Sequence, residues 1–267
     1  MTDVFTLQPA QVPLLISFPH SGTLLTPSVQ TDLLPEFRDL PDTDRHLPML
    51  YEFAPALGVG LLEAKFSRYV VDLNRAETNQ ALYESFGTGL YPETSLLGEP
   101  LYLEGKGPSR SERADYLEHI WRPYHEALQA ELQRLRDQFG YAILLDAHSI
   151  RSRMPSLFEG ELPDLSLGTF NGLSCDPQMT LALQHECEQL PNFSFVVNGR
   201  FKGGFITRHY GQPRDHIHAV QFELVQRTYM DERPPFRYLP QKAEGTAKHL
   251  HRLIECLLRW GQQRYRQ

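Results

Sequence analysis

Residues 141–145, Tyr-Ala-Ile-Leu-Leu, form a short apolar run that follows directly on a helical stretch, 111–138. A run of this kind reads as a strand buried on both faces, and such a strand needs cover above and below. In the preceding stretch Leu117, Ile120, Tyr124, Leu128, Leu132 and Leu135 recur at spacings of three and four, with Glu and Arg between them. That is one apolar face of a helix, and Pro123 predicts a kink or a division within it. Further strands are expected at 12–18, 59–64, 68–73, 193–197 and 217–225. Helices are expected at 46–57, closed by Gly58; at 177–190, with Asp176 as N-cap and Pro177 in the first turn; and at 242–265. Strands and helices are interspersed from end to end. The expectation is a single α/β domain over 1–267, with a mixed central sheet flanked by helices. The Gly- and Pro-rich stretches 77–110 and 155–175 read as loops, the first as a long excursion over a site.

Composition narrows the function. The chain has 267 residues and a net charge of −7, which argues against nonspecific nucleic-acid binding. An anionic ligand would need a local cluster of Arg against that field. The three Cys (175, 187, 256) form no CxxC pair and no disulfide framework; they read as reduced thiols in a cytoplasmic protein. The first residues lack the basic and apolar regions of a signal peptide, and no apolar run approaches the span of a membrane helix.

The chemistry gathers at strand ends. Asp146-Ala-His148-Ser149 follows the run at 141–145, and Pro13-Leu-Leu-Ile-Ser-Phe-Pro-His20 ends another apolar run on a histidine. Side chains there can point into the crevice where open α/β sheets bind ligands. Two histidines placed alike indicate a metal site, with Asp146 able to orient an imidazole. Most of the 11 His are expected to be ordinary hydrogen-bonded residues. A catalytic zinc takes three protein ligands, and Asp42-Thr-Asp44-Arg-His46 offers three candidates for the third. Asp44 is the first choice, with His46 and Asp42 behind it, although an acidic helix start would also explain one Asp. Glu223 lies in the otherwise largely apolar 217–225 strand. Either it faces a site, as a general base beside the metal, or it alternates out to solvent; the pattern leaves both open. Arg68, Arg75, Arg200 and Arg208 lie near strand ends or in Gly-rich segments and can fork onto carboxylates. Gly203-Gly204 reads as a close backbone approach to a ligand or as a hairpin turn. No dinucleotide fingerprint, phosphate loop or serine-hydrolase elbow is present.

Taken together, several stretches resemble the N-formylglutamate amidohydrolase family. They are Leu-Leu-Ile-Ser-Phe-Pro-His20-Ser-Gly, Pro-Asp42-Thr-Asp44-Arg-His46, Phe-Ser-Arg68-Tyr-Val-Val-Asp72-Leu-Asn74-Arg75, Trp-Arg-Pro-Tyr-His125, Leu-Asp146-Ala-His148-Ser-Ile-Arg151-Ser, Asn198-Gly-Arg200-Phe-Lys-Gly-Gly, Thr-Arg208-His-Tyr-Gly, Gln-Phe-Glu223-Leu and Thr228-Tyr-Met-Asp-Glu232. The resemblance spans nearly the whole chain. It implies a fold like that of zinc-dependent exopeptidases (phosphorylase/hydrolase-like) and hydrolysis of N-formyl-L-glutamate to formate and L-glutamate in histidine degradation. The Asp72-Leu-Asn74-Arg75 stretch also resembles the substrate-carboxylate motif of aspartoacylases and succinylglutamate desuccinylases. Carboxypeptidase-like enzymes carry a Glu three residues after the first ligand His. Here Thr23 stands there, so the carboxylate ligand must come from elsewhere. Arg45 stands where the family pattern often has Trp.

The resemblance implies one Zn2+ per chain on His20, Asp44 and His148, other divalent ions remaining open. It implies Glu223 as the proton carrier, and Arg68, Asn74, Arg75 and Arg208 as the groups holding a small dicarboxylate substrate. Neither a nucleic acid nor a membrane is an expected partner, and the sequence does not set the oligomeric state. Two other readings stay open: a zinc deacylase of another N-acyl acidic amino acid, or a carboxylate-binding protein without catalysis.

Overall fold

In the computed structural model, which describes residues 3–79 and 89–266, the run at 141–145 grows into the nine-residue strand β4. In chain order the strands are β1 (Phe5–Gln8), β2 (Leu14–Phe18), β3 (Gly60–Ala64), β4 (Ala142–Ile150), β5 (Leu165–Gly168), β6 (Phe195–Val197) and β7 (Ile217–Val225). Among the described residues they form one seven-stranded sheet in the order β1-β3-β2-β4-β7-β5-β6. The centre, β3-β2-β4-β7, is parallel, β1 and β5 are antiparallel to their inner neighbours, and β6 is parallel to β5. The sheet is therefore mixed, as expected.

Alternation along the central strands sorts the core into two layers. Ile143, Leu145 and Ala147 face one side with Val220, Phe222 and Leu224. That side is covered by α2 (Leu47–Leu50), α5 (Pro177–Glu188) and α7 (Pro240–Arg264). Ala142, Leu144 and Ala219 face the other side, under α4 (Arg122–Phe139) and α6 (Phe205–Tyr210). Leu128, Leu132 and Leu135 of α4 are buried there, as their spacing predicts. Truncating a fully buried Leu such as Leu144 or Leu128 to Ala costs about 2–5 kcal/mol. A smaller apolar cluster of Ile150, Met154, Leu162 and Val225 lies at the ends of β4 and β7.

Several elements differ from the sequence expectation, each for a local reason. The helix expected at 46–57 is α2 followed by a 3-10 turn, Ala54–Leu57, each with a proline in its first turn. Pro48 and Pro55 start short helices because they cannot continue long ones. Residues 68–73 form buried turns instead of a strand: Ser67 O accepts from Val70 N, Asp72 O from Arg75 N, and Asp72 Oδ1 from Asn74 N. Those turn and side-chain bonds replace a ladder. The 111–138 helix is divided at Pro123, as expected. It becomes α3 (Arg110–Tyr116), capped by Ser109 and Glu112, a π-type turn at Leu117–Trp121, and α4. The 155–175 loop contains β5, and Gly203-Gly204 leads into α6 rather than a hairpin. The strand β1 and the short helix α1 (Pro27–Asp32) carry no clear sequence signal. Residues 80–88 of the 77–110 excursion, with Gly87, lie outside the described residues. Asp176 caps α5 by accepting from Gln178 N at 2.8 Å. Among the described residues no helix is long and apolar enough to cross a membrane.

Candidate active site

On the α4 and α6 side of the sheet, the apolar layer gives way to polar side chains towards the C-terminal ends of the parallel strands. Ala142 and Leu144 of β4 are followed on the same face by Asp146 and His148, and Ala219 of β7 by Gln221 and Glu223. Register sets Asp146 opposite Gln221 and His148 opposite Glu223, so four polar residues form one block on two adjacent strands. His148 lies within β4 rather than just past a strand end. His20 follows β2 in a turn, where its backbone oxygen accepts from Asp44 N at 3.0 Å. That bond brings the Asp42–His46 segment beside β4.

His20, Asp44 and His148 are all buried, and each offers one ligand atom within 4.8 Å of the others. The geometry makes Nδ1 the inward nitrogen of both imidazoles. Asp44 Oδ2 lies 3.2 Å from His148 Nδ1 and 3.9 Å from His20 Nδ1. The outward nitrogens meet other carboxylates. His20 Nε2 bonds Asp72 Oδ1 at 2.7 Å, and His148 Nε2 lies 3.0 Å from Asp146 Oδ1. Metal-binding histidines commonly carry such a carboxylate behind them, which fixes the tautomer. Two imidazoles and one carboxylate match the three protein ligands of a catalytic zinc. One buried atom supports the fit. Asp146 Oδ1 has no hydrogen-bond partner and lies 3.0 Å from His148 Nε2; a cation at Nδ1 would put the proton on Nε2, facing that oxygen, with the Asn74 amide, now 2.8 Å from Nε2, turned to Asp146 Oδ2 alone.

Electrostatics divides the two imidazoles. Burial lowers the His20 pKa, with the Arg68 charge adding to it. Burial also opposes charge on His148, but Asp146 and Asp44 outweigh it and raise its pKa well above the usual value. For Asp72, burial opposes ionisation, and His20, Arg68 and Arg75 more than offset it, holding the carboxyl well below its usual range. Arg68 Nη2 donates to Asp72 Oδ2 at 2.6 Å, so a buried Arg–Asp–His chain leads to His20. A parallel chain leads to Asp44: Tyr229 donates to Ser149 Oγ at 2.8 Å, and Ser149 donates to Asp44 Oδ1 at 3.4 Å.

Glu223 faces inward, which decides between the two orientations its strand pattern allows. It is buried, and its pKa is pushed up to about 8, chiefly by that burial. Gln221 Nε2 donates to Glu223 Oε2 at 2.9 Å. A cavity of about 640 Å³ is lined by His20, Asp44, His148, Glu223, Arg68, Asn74, Arg75 and Arg200. Leu96, Leu97, Ile150, Leu157 and Phe201 give it an apolar wall.

Of the two other third-ligand candidates, Asp42 accepts from Tyr69 Oη and from Leu96 N, and His46 Nε2 donates to Phe236 O. Neither belongs to the ligand cluster. Arg45 donates to Asp39 O and lies over the Phe236 ring, a packing role away from the cavity lining. Arg68, Asn74 and Arg75 line the cavity, whereas Arg208 is not among the lining residues. Its Nε donates to Gly203 O at 2.7 Å, and its guanidinium lies over Phe170. The Asn74 amide is already engaged: Oδ1 accepts from Ile206 N, while Nδ2 lies 3.3 Å from Asp146 Oδ2 and 2.8 Å from His148 Nε2. Sequence reading did not single out roles for Gln221, Ser149, Tyr229 or Asp72 in this network. Only Gln221 had a pattern signal, since it shares a face with Glu223 by period two.

Comparisons with known proteins agree with one another. The family model described as N-formylglutamate amidohydrolase matches residues 12–230. Two curated relatives, the N-formylglutamate deformylases of Pseudomonas putida and Pseudomonas aeruginosa, are each 54% identical over 265 residues. The match covers 99% of this chain in both cases, and 99% and 100% of the relatives. A crystal structure of N-formylglutamate amidohydrolase from Ralstonia eutropha superposes with a TM-score of 0.80 at 25% identity, covering 97% of each chain. A protein from Agrobacterium tumefaciens, 16% identical, shares the fold with a TM-score of 0.74 over 97% of this chain and 96% of that one.

Proposed function

This chain belongs to the N-formylglutamate amidohydrolase family, and on that premise we propose that it hydrolyses N-formyl-L-glutamate to formate and L-glutamate, as a metal-dependent amidohydrolase of histidine degradation. The observation that carries the reading is the convergence of His20, Asp44 and His148 with the buried carboxylate of Glu223 on one cavity.

His20 Nδ1, His148 Nδ1 and an Asp44 oxygen are the atoms we assign to one Zn2+ per chain. When bound, the ion supplies a Lewis acid that polarises the formyl carbonyl, makes water more acidic and favours the ionised form of Glu223. Asp72 holds the His20 proton on Nε2 and keeps its Nδ1 lone pair inward, and Asp146 would do the same for His148 once the Asn74 amide donates to Asp146 Oδ2 alone. Glu223 takes a proton from the attacking water as the C–O bond forms. It returns that proton to the amide nitrogen as the C–N bond breaks, leaving formate and the free amine of glutamate. Arg75 and Arg200 flank the cavity as forks for the two substrate carboxylates; Arg68 and Asn74 belong to the same lining, and Arg208, outside it, drops out of the substrate-holding set. A cytoplasmic setting accords with three buried cysteines, all free.

The test is formate release from N-formyl-L-glutamate by purified protein, with metal content measured on the same sample. Activity removed by chelation and restored by Zn2+ is the expected result. Zinc-loaded protein that releases no formate but cleaves acetyl or succinyl analogues would replace the substrate and keep the mechanism. Stoichiometric binding without turnover in metal-replete protein would leave only a binding role.

A further inference from the structure

Glu223 has two carboxylate oxygens, and the reaction uses the one that can reach water and the leaving nitrogen. A backbone amide outside the strand settles which one that is. Gly168, at the end of β5, stands opposite Gln221 of β7. A Cβ at Gly168 would come within 2.6 Å of Gly203 N, so the bare glycine lets the 202–204 segment lie against the sheet. Gly204 N then donates to Gln221 Oε1 at 2.7 Å. A backbone N–H is always a donor, so the Gln221 amide has one orientation and its NH2 group must point the other way. It points at Glu223 Oε2, 2.9 Å away. Oε2 therefore acts as an acceptor in both protonation states of Glu223. Oε1 accepts no hydrogen bond among the described residues and is left to carry the proton.

We propose that Gln221 is a positioning residue for hydrolysis: held by Gly204 N, its amide fixes the Glu223 carboxylate so that Oε1 is the oxygen that takes the proton from water and delivers it to the leaving nitrogen. Gln221 does not itself touch the reacting atoms in this assignment. The proposal rests on the reading of Glu223 as proton carrier, and the two separate experimentally.

The experiment compares Gln221→Glu, Glu223→Gln and the double variant in the zinc-loaded protein. It measures kcat, KM, zinc per chain and calorimetric affinity for N-acetyl-L-glutamate. Gln221→Glu keeps an acceptor for Gly204 N and removes the donor to Glu223 but adds a carboxylate beside it, whereas Gln221→Met removes the donor without adding charge. The expected result is a kcat lowered about 10- to 100-fold, a part of the roughly 10²–10⁴-fold that proton-transfer catalysis supplies. KM, zinc content and analogue affinity should stay within about twofold of the parent. In the Glu223→Gln background the same change should cost nothing further, because residues acting as a unit are not additive. Gln221→Met, similar in length and without the amide, carries the same expectation should Gln221→Glu not fold. An additive loss in the double variant, or reduced zinc content in either Gln221 variant, would make Gln221 a structural residue only. A normal kcat for Gln221→Glu beside an inactive Glu223→Gln would overturn the proposal and leave the base intact. A normal kcat for Glu223→Gln would overturn the base assignment, and this proposal with it.

Discussion

His20 and His148 in the candidate site are each 4% exposed; His125 of α4 is also 4% exposed, and His218 at the start of β7 is 1% exposed. Burial alone does not separate the two pairs; their partners do. His125 Nε2 donates to Leu73 O and its Nδ1 pairs with Tyr210 Oη, both at 2.9 Å. His218 Nδ1 accepts from Asp176 N, and its Nε2 donates to Tyr265 Oη. With their ring nitrogens on neutral partners, burial pushes the His125 pKa down to about 3 and that of His218 to about 4. They are neutral structural rings. The site histidines face carboxylates on both nitrogens, the setting of a cation site. A buried histidine in this chain is thus defined by the charge around it, and each variant below presses on that contrast.

The largest effect is expected beside the metal ligands. Glu223→Gln should lower kcat by about 10²–10⁴-fold while zinc per chain stays unchanged; steady-state kinetics with metal analysis reads both. A small change in kcat would take the acid–base chemistry out of this region.

Next comes the carboxylate behind a ligand. Asp72→Asn removes the charge that holds His20 and should weaken zinc binding by about 10–100-fold, as measured by competition with a chelator. His125→Gln should leave that affinity unaltered. If both variants weaken zinc alike, the contrast between the two pairs is wrong.

A third effect appears in stability. The folded chain keeps His125 neutral down to about pH 3, whereas the unfolded chain protonates it near its ordinary value of 6.5. The contribution of neutral His125 is therefore complete above pH 6.5 and is lost as pH falls towards 3. His125→Gln should destabilise by about 1–3 kcal/mol at pH 7.5, with the deficit shrinking towards pH 5 in urea titrations. A deficit that is constant with pH would mean that His125 does not carry this linkage. The smallest effect is Tyr265→Phe, which removes one partner of His218 and should cost about 1 kcal/mol. A loss of formate release in that variant would extend the functional region to the far end of the sheet.

Much of the site was legible because its residues sit on strongly patterned elements. The run before His20 declared a strand end, the run at 141–145 declared a strand that continues through His148, and the Asp42–His46 segment declared a nearby acidic cluster. The placement of Glu223 was half legible: its strand was evident, but alternation left its side open until Gln221 and Ala219 were seen on the face shared with His148. Residues 68–73 misled because a fully buried apolar segment looks like a strand whether ladders or turns satisfy its backbone; here Asp72 itself supplies an acceptor. The helix expected at 46–57 failed because prolines that start helices and prolines that break them look alike in a window. Gln221 went unassigned because its role comes from Gly204, in a segment with no local pattern tying it to β7.

The sequence by itself determined the alternation of strands and helices, the mixed sheet they imply, and the His and Asp residues that could form a metal site. Those follow from periodicity, capping residues and short motifs, all encoded within a few residues of one another. Only the tertiary structure decided that Asp44, rather than Asp42 or His46, joins the two histidines, that both rings turn Nδ1 inward, and that Glu223 faces them. These choices depend on register between strands and on bonds across long sequence distances, such as Gly204 to Gln221 and Arg68, through Asp72, to His20. A side chain's charge state and direction are set by what packs beside it in space, and local sequence does not specify that neighbour.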